Sequence, residues 1–482
     1  MFVRTLVIAG VFVISATAWS AESTESGETV RLVLTPAVEP VPALRYQLLP
    51  SFVAQRSGNA AVRYLRVATH YRPKDEVNET VSQALAKPLA EFAATTDDAD
   101  LQSVLKNDVF AELQRAARLD RCEWELPLRE QMAFAVLLPE LQEMRRLARY
   151  IALRARRDVV DGNFDAAVER LQIGYAMARH TSAGPTLIHG LVGVAMAQTM
   201  NLVLLDLSQS PGAPSLYWAV SAQPRPFIDP RPGLVGEMSA VELSFPTLFR
   251  RTEAEPRTTE EWTTDAQRFL RELSSLVGQF ESTSGSEPSL VAVLTFVGVM
   301  AKIALRRDEL RAELVDYGLP KGTVEKMSDP QLCLELCGRQ YTQLRDDQFR
   351  WMMLPYHEGR AGLEAAEKRL LDTRERGREL IPLASVILPA VGQVRHSHAR
   401  SERRIDALRI IEALRLHAAK HDGRLPASLA DVDVVPIPPL DVVTGQPFRY
   451  SLNNGTARLE LPEESRRQGT PLVYEITIAA GK

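Results

Sequence analysis

The apolar and polar positions along the chain follow mostly a helical period. Leu141, Met144, Leu147, Ile151 and Ala155 recur every three or four residues and mark one face of an amphipathic helix. After the turn "VVDGNF", Phe164, Ala167, Val168, Leu171, Tyr175 and Ala178 mark a second. So short a connection predicts that the two helices pack antiparallel. Ile405, Leu408, Ile411, Leu414 and Ala418 form another stripe, closed by the stop signals Gly423 and Pro426. Strand patterns are few. "ETVRLVLTP" (28–36) alternates, as do Phe448 to Leu452 and Ala457 to Leu461, with the hairpin turn Asn454-Gly455 between the last two. "PLVYEITIA" (471–479) is a further strand. The pattern predicts a mainly α protein: a helical domain followed by a small α+β C-terminal module with a three-stranded antiparallel sheet.

Between the stripes the chain is less regular. Residues 74–100 are polar, with a charged loop expected near Thr95 to Asp100. Residues 209–265 are rich in proline and charge and read as irregular structure with short helices. "ESTSGSEPS" (281–289) reads as a loop, and Leu290 to Leu305 as a core helix. Pro185 to Leu207 is long enough to span a bilayer, but it carries His189, Gln198, Asn201 and two glycines. It is expected to be a helix buried within the helical domain, with Pro185 in its first turn.

The first residues set the compartment. In "MFVRTLVIAGVFVISATAWSAES" one arginine precedes an apolar run and then small residues, the order of a secretory signal peptide. The expected divisions are a signal peptide over 1–20, an extended and short-helix region over 21–100, the helical domain over 101–399 and the α+β module over 400–482. The expected location is periplasmic or secreted, with envelope association open and no transmembrane segment once the signal is removed. The net charge of -4 offers no polybasic footprint for nucleic acid.

An oxidising compartment permits a disulfide. Cys122 could pair with Cys333 or Cys337, or all three could be buried thiols; Cys333 and Cys337, four apart on a helix, make a strained pair with each other.

Three further resemblances rest on specific residues. "DGNFDAAVERLQIGYAMAR" resembles the turn and second helix of a tetratricopeptide repeat through Gly162, Phe164 and Ala167, with no second copy at the repeat interval. Residues 401–462 resemble the C-terminal module of type II secretion pseudopilins: Asp441, Gly445, Pro447 and Tyr450 match that family's loop and strand. The N-terminal methylation segment of a pilin is absent, so pilin assembly is not implied. The phrases "PALRYQLLP", "SGNAAVRYLR", "CEWELPLRE", "ARHTSAGPTLIHGLVGVA" and "TGQPFRY" resemble those of an uncharacterised family of exported bacterial helical proteins, which implies export and no particular activity.

Candidate chemistry is sparse. Trp124 and Glu125 beside Cys122, together with His189, form a candidate polar cluster, because a buried charge beside tryptophan is costly unless used or paired. His417 and His421 share a helix face and could hold a metal, although no third ligand is evident beyond the neighbouring Asp422. The competing reading is a solvated helix end, where histidines favour the dipole. His396 and His398 are expected on a solvated face, and His180 in a surface pair with Glu169 or Asp165. The chain lacks a Gly-x-Ser-x-Gly elbow, a Gly-x-x-x-x-Gly-Lys loop and a dinucleotide fingerprint. These observations imply no cofactor and assign no catalytic residue. They favour a non-enzymatic envelope protein that binds other proteins, with an exported hydrolase or metal-dependent enzyme as the alternative.

Overall fold

The structure is a computed structural model and describes residues 29–95, 98–107, 109–128, 138–249, 257–280, 288–461 and 472–479. The expected signal peptide and most of the loop expected at 281–289 lie outside them. The chain is mainly helical. Its principal helices are α1 (Ala60–His70), α2 (Asp75–Ala86), α3 (Pro139–Val160), α4 (Phe164–Ser182), α5 (Leu187–Gln209), α6 (Thr259–Phe280), α7 (Pro288–Asp316), α8 (Asp329–Met352), α9 (Tyr356–Glu375) and α10 (Pro389–Lys420). The strands are β1 (Thr29–Leu34), β2 (Arg56–Asn59), β3 (Leu119–Arg121), β4 (Arg449–Asn453), β5 (Thr456–Leu461) and β6 (Leu472–Ile478).

Contacts divide the chain into two compact units. The first holds the described residues of Ser23–Glu125, Leu138–Gly233 and His396–Lys482; the second holds those of Leu126–Leu137 and Leu234–Arg395. The sequence-based boundary at 399/400 falls inside α10, and that at 100/101 inside the short helix Ala99–Leu105. Helical stripes mark elements, whereas unit boundaries depend on which distant elements share a core, so the two need not coincide.

In the first unit α3, α4 and α5 pack on one another, with α1, α2 and the helix Val109–Ala117 around them. The turn between α3 and α4 uses Gly162 at φ 72°, a left-handed conformation open to glycine. Gly193 lets α5 approach α4: a β-carbon there would lie 2.6 Å from Ser182 Cβ and 2.8 Å from the Ala178 carbonyl. Among the described residues α5 alone is long and apolar enough to cross a membrane, and 67% of its most apolar window is buried inside the protein. Pro185 lies outside this helix, because Thr186 is its cap. The polar stretch 74–100 is largely helical, in α2 and Leu89–Ala93, with Val77, Val81, Ala84 and Phe92 supplying buried faces.

The sheet corrects the expectation of three antiparallel strands. Its order is β1-β6-β5-β4: β4, β5 and β6 are antiparallel neighbours, and β1 joins β6 in parallel. The strand read at 28–36 thus belongs to the C-terminal module, with Thr29 opposite Val473. The β4–β5 turn places Asn454 at φ 49° and Gly455 at φ 79°, the conformation that the Asn-Gly pair favours.

The C-terminal part of α10 is enclosed rather than one-sided. Ile405 and Leu408 join the helical core, Ala407, Ile410, Ile411 and Leu414 meet the sheet, and Ala413 and Leu416 pack with Tyr217 and Val435. Arg403, Asp406, Glu412 and Arg415 on it are consequently buried and paired, as with Arg403 and Asp441 at 2.8 Å.

In the second unit α6 packs on α7, both pack on α8, and α8 packs on α9. A helix does cover Leu290 to Leu305, as part of α7, which runs on past a kink at Arg306. Among its described side chains Val299 and Ile303 are buried while Val297 and Leu305 are exposed, so it is one-sided there rather than the expected core helix. Phe245 meets Phe269 edge-on at 5.9 Å, and Phe249 meets Tyr341 at 5.6 Å. All three cysteines are free thiols, so the expected pairing of Cys122 with Cys333 or Cys337 is not formed. Cys333 and Cys337 are buried one turn apart on α8.

Candidate functional site

Among the described residues of the first unit, three groups of polar side chains are candidates for a site. One forms where α5 starts. The Thr186 cap receives the His189 amide, and its hydroxyl lies 2.7 Å from His189 Nδ1. Gly184 makes room for the ring, since a β-carbon there would lie 2.1 Å from His189 Cδ2. The structure brings Trp124 to this ring, with centroids 6.1 Å apart. Glu125 does not join them. Its side chain is exposed, so the cost of burying a charge beside tryptophan does not arise.

His189 is fully buried, and its Nε2 and Trp124 Nε1 have no hydrogen-bond partner. Burial pushes the His189 imidazole down to about 4, so it is neutral near pH 7. Nearby in sequence, His180 also departs from expectation. Its Nδ1 lies 2.9 Å from the Tyr64 hydroxyl, while Asp165 pairs instead with Arg45 and Tyr46. Burial pushes His180 down to about 4 as well, and pushes the Cys122 thiol up to about 12. This is an uncharged polar core. A thiol so unwilling to ionise is a poor nucleophile.

The second group was not legible as a motif. Arg225 Nη2 lies 2.9 Å from Asp406 Oδ1, and its Nη1 lies 3.6 Å from Glu402 Oε2. Glu402 also receives the Phe227 amide at 2.5 Å. Burial outweighs these partners and pushes Glu402 up to about 7. The sequence signal was an acidic pair spaced four apart on α10, which ordinarily marks an exposed face. His396 and His398, expected on such a face, are buried too, and the His398 ring lies against Gly190 of α5.

The third group lies at the end of α10. His417 and His421 stack with centroids 4.1 Å apart, and both face Asp433, which follows the short helical turn Leu429–Asp431. His421 Nε2 lies 3.0 Å and His417 Nδ1 3.6 Å from Asp433 Oδ1, while Lys420 Nζ lies 2.7 Å from Oδ2. The Lys420 ammonium and the His421 ring hold the Asp433 carboxyl well below the usual range. The solvated-end reading fails for His417, which is buried. Asp422, the neighbour available to sequence reasoning, instead lies near Arg424 in the solvent.

Beside this group lies a cleft of about 340 Å³ lined by Val38, Glu39, Leu416, Ala419, Lys420, Asp433, Val434 and Val435. His417, His421 and Asp433 are the side chains among the described residues whose ligand atoms gather closely enough for a metal, all within 4.8 Å of one another. Neither a protein-family model, nor a curated protein, nor a solved structure matches this chain.

Proposed function

We propose that this is an exported envelope protein, periplasmic or secreted, whose task is to bind another protein rather than to catalyse a reaction. What supports the reading is an arm between β1 and β2 that is anchored yet apolar on its outside. Leu48 is buried, Arg45 and Tyr46 bond Asp165, and Gln172 Nε2 donates to the Gln47 and Leu49 carbonyls. Val38, Val41, Leu44, Phe52 and Val53 on the same arm are all exposed, Phe52 at 90%. Large apolar side chains held in solvent on a fixed backbone are costly to maintain and suit a partner surface.

The role extends two resemblances. The α3–α4 hairpin is a single tetratricopeptide-like unit in this reading, and residues 401–462 are a pseudopilin-like module. A photo-crosslinking residue placed at Phe52 in the living cell tests the proposal. A discrete protein adduct, abolished by Val53→Asp, is expected. Absence of any adduct from correctly exported protein overturns the docking role. A second reading, an exported metal-dependent enzyme, draws on the juxtaposition of His417, His421 and Asp433 beside the cleft.

A further inference from the structure

We propose that His417, His421 and Asp433 bind one divalent transition-metal ion of the zinc class. This inference is independent of the docking arm. Its first support is geometric. Zinc takes nitrogen and oxygen ligands at about 2.0–2.2 Å, which sets neighbouring ligand atoms roughly 3.3–3.5 Å apart in a tetrahedron. The two nitrogen-to-Oδ1 separations, 3.0 and 3.6 Å, bracket that spacing. The third separation is no wider than 4.8 Å and closes by rotation of His421, whose side chain is about one-third exposed.

The second support is an unmet polar atom. The His417 side chain is 93% buried, being 7% exposed, and its Nδ1 has no hydrogen-bond partner, although it faces Asp433. A buried nitrogen left in that state carries an uncompensated desolvation cost, which coordination removes.

The surroundings suit a neutral-imidazole ligand set. His417 Nδ1 and His421 Nε2 both face Asp433 Oδ1, so two imidazole nitrogens and one carboxylate oxygen converge. Lys420 Nζ occupies Oδ2, and Oδ1 is the oxygen that faces the two rings. Two nitrogens and one oxygen select zinc, cobalt, nickel or copper over magnesium and calcium. The Asp433 side chain is about half exposed, so water completes the coordination. The bound ion ties the last turn of α10 to the segment holding Val435 and Pro436, where Pro436 already accepts the Tyr217 hydroxyl.

The test uses full-length tag-free protein, stripped with chelator and titrated calorimetrically with zinc chloride, then with cobalt chloride under a visible spectrum. One zinc per chain, tetrahedral cobalt bands and indifference to excess magnesium are expected. His421→Ala and Asp433→Asn should each weaken binding by about tenfold or more while leaving the circular dichroism unchanged. These two sites are partly exposed, so they serve if the buried His417→Ala variant does not fold. Failure of the native protein to bind zinc stoichiometrically, or equal affinity in folded His421→Ala and Asp433→Asn, overturns the assignment.

Discussion

Arg415 and Glu412 meet one turn apart on α10 with neither side chain reaching solvent: Nη1 lies 2.8 Å from Oε1 and 3.1 Å from Oε2. The guanidinium also donates to the carbonyls of Thr35, Ala213 and Pro214, and Glu412 receives the Ser215 hydroxyl and the Leu216 amide. One ion pair therefore fastens the exit of β1 and the 213–216 loop to the same helix. Arg415→Met strands both the carboxylate and the carbonyls, and should lower unfolding free energy by about 3–5 kcal/mol in a urea titration. Glu412→Gln added to it should restore part of that loss.

His189 and Glu402 should tilt the stability–pH profile in opposite directions. The folded pKa of His189 is depressed to about 4 from an ordinary 6.5. The unfolded chain takes up that proton first, so the neutral ring's contribution is full above 6.5 and is lost as pH falls through about 4. The folded pKa of Glu402 is raised to about 7 from 4.5, so its contribution is full below 4.5 and is lost as pH rises through about 7. Urea unfolding of His189→Gln should therefore show a shallower acid decline than the native protein. Glu402→Gln, which leaves Arg225 its contact with Asp406, should instead flatten the fall toward neutrality. Parallel shifts with no change of slope would contradict both assignments.

Gly193 should tolerate no enlargement. Gly193→Ala drives a methyl into Ser182 and the Ala178 carbonyl, and backbone cannot yield as a flexible side-chain end can. A loss of about 1–3 kcal/mol is expected in thermal or urea unfolding. Gly190→Ala, whose new methyl would meet only the His398 ring at 3.0 Å, should cost less.

Lys420→Met should tighten zinc binding severalfold, and the gain should shrink at high salt. The ammonium sits 2.7 Å from Asp433 Oδ2, and its charge opposes an incoming cation. Calorimetry at two salt concentrations measures this, and weaker binding in the variant would refute it.

The parts legible in the sequence were those set by neighbouring residues. The α3–α4 turn at Gly162 and the Asn454-Gly455 hairpin each follow from backbone preferences within a few residues. Trp124 and His189 were named together and do meet, yet Glu125 points to solvent, because burial depends on what distant chain covers a side chain. Asp433 was missed for a related reason. It is twelve residues beyond His421, across a stop and a turn, and no periodicity links them. The enclosure of α10 was invisible too: its charged positions look like a solvated face until the sheet and the helical core are seen to close around it.

The parallel pairing of β1 with β6 joins residues 444 positions apart, as for Arg31 and Glu475. A ribosome delivers the first of these strands long before the second, so the sheet's edge partner is missing throughout synthesis. The first unit can settle only after nearly all of the polypeptide has emerged, and loop-closure entropy over so great a span makes that final step slow.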